Sequence, residues 1–215
     1  MKNLGAISQE LVSHAPFTAI GAVTGIVIMV GIELLQAPEE ISRLLFYTLH
    51  PLHIVFSALV TTSMYRIYKQ APLWKVILVG YTGSVGIATI SDSIIPFLGG
   101  EAMTVSMQFH LPFLEGDPFP YLGVPIWVVV NGAAIIGIFL ACWHPNTRFP
   151  HLGHVLLSTW ASLFGFTAFG VANWLPLLPF VFVFLFLAVW VPCCISDIVY
   201  PLLFVGKIQH HHHHH

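Results

Sequence analysis

Six apolar stretches divide this chain, running roughly from Phe17 to Leu35, Leu44 to Tyr68, Leu73 to Ile95, Tyr121 to Trp143, His151 to Trp174 and Leu178 to Val205. Each approaches or exceeds the roughly 20 residues a helix needs to cross a hydrocarbon core of about 30 Å. Lipid offers no hydrogen bonds, so every backbone N–H and C=O in such a stretch must be satisfied within it, and segments of this kind are helices. Composition agrees. Charged residues make up 7% of the chain and hydrophobic ones 57%, where a soluble domain carries about 25% charged residues. Too few polar side chains remain to cover a water-facing surface, so lipid must do part of the covering.

The expectation is one all-α integral membrane domain over residues 1–209, with six transmembrane helices. His210 to His215 read as a purification tag and stand outside the argument. The remaining histidines are His14, His50, His53, His110, His144, His151 and His154. Three cysteines, Cys142, Cys193 and Cys194, are too few for a disulfide framework. The first 16 residues carry charges and no apolar core, so the first span itself is expected to direct insertion. A chain with 7 Lys and Arg in all is not expected to bind nucleic acid.

Basic residues set the orientation. With six spans, Lys2, Arg66, Lys69, Lys75, Arg148 and Lys207 fall on one side and Arg43 alone on the other. Both termini are therefore expected in the cytoplasm, with the chain in the cytoplasmic membrane of a prokaryote. The long loop 97–120 then faces outward; it carries Glu101, His110, Glu115 and Asp117 without Lys or Arg. Its negative potential would raise the local concentration of cations.

An internal repeat is written in the polar residues, where chance similarity between apolar helices does not reach. His50-Pro-Leu-His53-Ile-Val-Phe-Ser57 is matched by His151-Leu-Gly-His154-Val-Leu-Leu-Ser158, and a hydroxyl follows four residues later in each, Thr61 or Ser162. Downstream, both Ile90-Ser91-Asp92 to Leu98 and Ile195-Ser196-Asp197 to Leu203 read I-S-D-x-x-x-P-x-L. Repeat 1 covers about 17–99 and repeat 2 about 121–206. Each unit holds three spans, an odd number, so the copies are expected to insert with opposite topology as two inverted three-helix repeats.

The repeated residues are those that bind metal. Histidines at i and i+3 share a helix face with Cβ atoms about 5–6 Å apart, which suits two imidazoles on one ion. His50 and His53 are expected to open the second span, with Pro51 in its first turn, beside Asp92 near the end of the antiparallel third. Glu33, late in the first span, is expected on the same outer side, where His110 could join it. The second set, His151, His154 and Asp197, is expected on the cytoplasmic side, where Cys142, His144, Cys193 and Cys194 could make it softer. Phe139 stands where a second Glu33 would be. The alternative is a pair of structural hydrogen-bond networks inherited with the repeat.

These patterns point to a transporter or permease for a divalent transition-metal cation, zinc, iron, nickel or cobalt. Cations would be captured by Glu33, His50, His53 and Asp92 and released through His151, His154 and Asp197. A second reading is a zinc-dependent intramembrane hydrolase acting on a lipid-like substrate, since two His and one Asp leave an open position for water; Glu33 would be its base. A third is a carrier whose duplicated residues only brace the helices. The expected partners are membrane lipid and the metal cation, and small bundles of this kind often form a homodimer.

Overall fold

The computed structural model describes the backbone of residues 2–120, 122–145 and 148–205, and the side chains of 12, 15–120, 122–145, 153–193, 195–197 and 199–205. Six helices lie in the described residues: α1 Lys2–Leu34, α2 Glu39–Tyr68, α3 Leu73–Ala102, α4 Ile126–Trp143, α5 Arg148–Phe169 and α6 Leu175–Leu203. Five are long and apolar enough to cross a membrane, the window in α1 being Ala15–Leu34. The sixth, α5, has 22 residues, about 33 Å of helix. It turns a row of polar side chains inward: His154, Ser158, Thr159, Ser162 and Thr167 are all buried.

This burial pattern inverts that of a soluble domain. Polar groups from Ser57, Thr61, Thr62, Ser84, Ser91 and Asp92 occupy the interior, while Val23, Val27, Leu78, Ile136, Phe139 and Phe180 face outward. Such an exterior suits lipid, and ionisable groups in such an interior are costly enough to imply a task.

Helices α2 and α5 form the centre and run antiparallel. Phe46, early in α2, meets Phe169 at the end of α5 with ring centroids 5.0 Å apart; Gly153, early in α5, faces Phe56 of α2. Around this pair, α1 packs on α5 and α6, and α4 packs on α2 and α3. Small residues permit the close crossings. A Cβ on Gly21 of α1 would come within 2.8 Å of Thr159 Oγ1 in α5, and one on Gly137 of α4 would overlap the Val55 carbonyl of α2.

The connections gather at two ends. At one, β1 (Ser106–Met107) pairs antiparallel with β2 (Gly170–Val171), and Arg43 Nη2 donates to Gln108 Oε1 at 3.3 Å. At the other, Lys69 Nζ donates to the Phe204 carbonyl at 2.6 Å and Arg66 to the Ala141 carbonyl at 3.1 Å. The basic turns thus cap free carbonyls at the ends of α4 and α6.

Two details depart from expectation and set the depth of the site. Helix α2 begins at Glu39, not near Leu44, because Glu39 and Glu40 in its first turn favour a helix N-terminus although they are polar. Pro51 consequently sits inside the helix instead of opening it. Helix α3 runs past Pro96 to Ala102 by widening into a π turn at Ile90–Ile94. Proline lacks the N–H that would bond the Asp92 carbonyl, and the wider turn absorbs the mismatch, with Ile95 N–H bonding the Ile90 carbonyl instead. The same device recurs in α6 as a π turn over Ile195–Val199, ahead of Pro201.

Candidate metal centre

The two I-S-D motifs form the two π turns, so both aspartates sit where the helix is widest. Asp92 is fully buried, as is His53, midway along α2. His50 Nδ1 lies 2.8 Å and His53 Nδ1 2.7 Å from the same Asp92 oxygen, Oδ2. Its other oxygen, Oδ1, accepts from Ser91 Oγ at 2.6 Å and from Ser162 Oγ of α5 at 3.2 Å. Three donors, and the Ser162 hydroxyl shared with the Ser91 carbonyl, offset the cost of burying the carboxylate. His50 Nε2 and His53 Nε2 are both buried without a hydrogen-bond partner.

The other half presents a matching contact, His154 Nδ1 to Asp197 Oδ2 at 2.9 Å. The two sets do not occupy opposite ends of the bundle. The His53 and His154 rings stack with centroids 4.7 Å apart, so the clusters meet at the α2–α5 crossing. His50 and His53 lie deep because α2 starts well before them.

Hydroxyls tie the halves together. Ser162 Oγ donates to the Ser91 carbonyl in the π turn of α3 at 2.9 Å. Thr61 Oγ1 reaches the Ser196 carbonyl in the π turn of α6 at 3.3 Å. Each central helix thus supplies a hydroxyl to a loosened carbonyl of the opposite half, as the widened turn requires.

Above the site, on the end bearing β1 and β2, a cavity of about 440 Å³ is lined by Arg43, Tyr47, Gln108, His110, Glu115 and Asp117 among others. His110 separates it from the buried cluster. Its ring stacks on Phe169 at 3.6 Å, edges onto Phe46 at 5.0 Å, and Nε2 contacts Ser93 Oγ at 3.3 Å. Burial holds the His110 imidazole down at about 3. Burial raises the carboxyl of Glu115, whose Oε2 accepts from the Tyr47 hydroxyl at 2.9 Å.

Of the residues singled out in the sequence, His50, His53, Asp92, His154 and Asp197 converge. Glu33 does not; its Oε1 accepts from the Trp174 backbone N–H at 3.4 Å, at the α5–α6 connection. The side chains of His151 and Cys194 lie outside the described residues. Cys142 packs with Tyr65 and Val76 at the far end of the bundle, and His144 is exposed beyond α4. Among the described residues, two groups of three buried side chains could hold a metal ion, His50–His53–Asp92 and His53–His154–Cys193. The second draws on both halves of the chain, which no spacing within one repeat could announce.

No protein-family model, curated protein or solved structure matches this chain.

Proposed function

We propose that this protein is a membrane permease for a divalent transition-metal cation, zinc being the best fit, with one binding centre shared between two inverted three-helix repeats. The observation that carries the reading is the stacking of His53 on His154, each backed by its own aspartate, at the crossing of the two central helices. Several contacts support the repeat. α1 packs on α5 and α6 as α4 packs on α2 and α3, and Thr61 answers Ser162 across the crossing. A cation site at the interface of inverted repeats, beside irregular turns in the helices, is a general plan for alternating access. The polar cavity around Glu115 and Asp117 supplies an approach from one side. The basic residues argue for cytoplasmic termini, and hence for an outward-facing cavity in a prokaryotic cytoplasmic membrane.

The hydrolase reading draws on the same cavity, which could admit a lipid head group. It requires a general base near the metal, and Glu33 is instead engaged with Trp174. Transport is the better account.

The test is flux. Protein reconstituted in vesicles containing a metal-sensitive dye should pass zinc or cobalt, and His53→Ala should reduce passage to the level of protein-free vesicles. Absence of wild-type flux for every first-row divalent cation, in vesicles holding folded protein, defeats the proposal.

A further inference from the structure

The two three-residue groups compete for His53, and their geometry discriminates between them. A tetrahedral ion with bonds of about 2.0–2.3 Å keeps its donor atoms roughly 3.3–3.8 Å apart. Asp92 Oδ2 stands 2.8 and 2.7 Å from the Nδ1 atoms of His50 and His53. Those are hydrogen-bond lengths, too short for two ligands of one such ion. Asp92 therefore holds the Nδ1 protons and leaves each Nε2 lone pair exposed, as carboxylates do behind metal-binding histidines. His53 Nε2 has no hydrogen-bond partner although it is fully buried. His53, His154 and Cys193 each offer a ligand atom within 4.8 Å of the others. That limit is compatible with three donor atoms arranged around one ion.

We infer that the cation is a borderline-soft one, held by His53, His154 and the Cys193 sulfur, with Asp92 and Asp197 as outer carboxylates that orient the two rings. The inference rests on the permease reading and specifies its cargo. Cys193 is buried and bonded to Ser158 Oγ at 3.4 Å, so binding releases the thiol proton and forms the sulfur–metal bond in its place. Two imidazoles and a thiolate select zinc, cobalt or cadmium over magnesium, calcium or manganese, which favour oxygen ligands. One thiolate and two carboxylates supply three negative charges against the two of a dication, so the buried cation does not go uncompensated. His50, which shares Asp92 Oδ2 with His53, then serves to hold that carboxylate in place.

Cobalt reports the ligands directly. The detergent-solubilised full chain, titrated with Co2+, should develop a thiolate-to-cobalt charge-transfer band together with the visible bands of a tetrahedral ion. The terminal histidines contain no sulfur and cannot contribute the first band. Cys193→Ser should abolish it and weaken binding at this site by at least about tenfold, whereas Cys142→Ser and Cys194→Ser should retain it. Cobalt bound without the band, or a band that survives Cys193→Ser, overturns the sulfur ligand while leaving metal transport standing if vesicle flux persists. Neither binding beyond the terminal histidines nor flux overturns both.

Discussion

His53 and His154 face each other ring to ring, centroids 4.7 Å apart and planes 27° from parallel, although they belong to opposite halves of the chain. Each has an aspartate at its Nδ1. A shared cation would give the arrangement a purpose that packing alone does not.

Asp92 and His53 should therefore fail differently. His53 belongs to both candidate groups, so His53→Ala should abolish metal binding in a chain ending at Gln209. Asp92→Asn keeps the shape and loses the charge that fixes the two rings; the expected cost is about 10–100-fold in affinity. Equilibrium dialysis with elemental analysis measures both. An Asp92→Asn protein that binds metal as tightly as wild type would show that the carboxylate is a structural bond only.

Gly165 of α5 sits against the Asp92 backbone, where a Cβ would come within 2.6 Å of the Asp92 carbonyl oxygen. Neither the π turn nor α5 can yield without disturbing the cluster. Gly165→Ala should destabilise the protein by about 1–3 kcal/mol through overpacking. Thermal unfolding in detergent would show it, and an unchanged midpoint would mean that the two helices separate more readily than their packing implies.

Much of this was legible in the residues themselves. The apolar runs located the helices, and rare polar residues repeated in order named the histidines and aspartates that meet. Depth was not legible, because hydropathy detects the apolar run from Leu44 and overlooks the polar first turn that starts α2 at Glu39. Pro96 and Pro201 suggest helix ends by the usual rule; here a π turn carries each helix onward. Glu33 matched the outer side by position along its helix, but α1 packs on α5 and α6, away from α3, and its carboxylate meets Trp174. Cys193 belongs with His53 of the other half only because α2, α5 and α6 converge there, a relation between distant segments that no local pattern encodes.

His110 supplies a pH dependence with a definite sign. Its imidazole is held at about 3 chiefly by burial, against about 6.5 in an unfolded chain. Between those values the unfolded chain binds a proton that the folded one refuses. His110 thus costs no stability near neutrality and an increasing amount as the pH falls below about 6.5. Glu115 acts oppositely: burial raises its carboxyl, so the folded state takes up that proton first and gains as the medium acidifies. His110→Phe keeps an aromatic ring between Phe46 and Phe169 and removes the first contribution alone. Its unfolding midpoint should fall less than that of wild type on going from about pH 7 to about pH 4. Parallel declines for the two proteins would place His110 in contact with water.

The hydroxyl pair Ser162 and Thr61 offers a comparison across the crossing. Ser162 Oγ reaches both the Ser91 carbonyl at 2.9 Å and Asp92 Oδ1 at 3.2 Å. Thr61 Oγ1 reaches the Ser196 carbonyl at 3.3 Å and Ser196 Oγ at 3.2 Å, both neutral groups. Bonds to a charged acceptor contribute roughly twice what neutral ones do. Ser162→Ala should accordingly cost about 1.5–3 kcal/mol and Thr61→Val, which keeps the side-chain shape, about 0.5–1.5 kcal/mol. The difference should narrow in an Asp92→Asn background, because the charge that strengthens the Ser162 bond is then gone. A double-mutant cycle read by thermal unfolding tests this, and equal losses for Ser162→Ala in the two backgrounds would show that its hydroxyl serves the π turn and not the carboxylate.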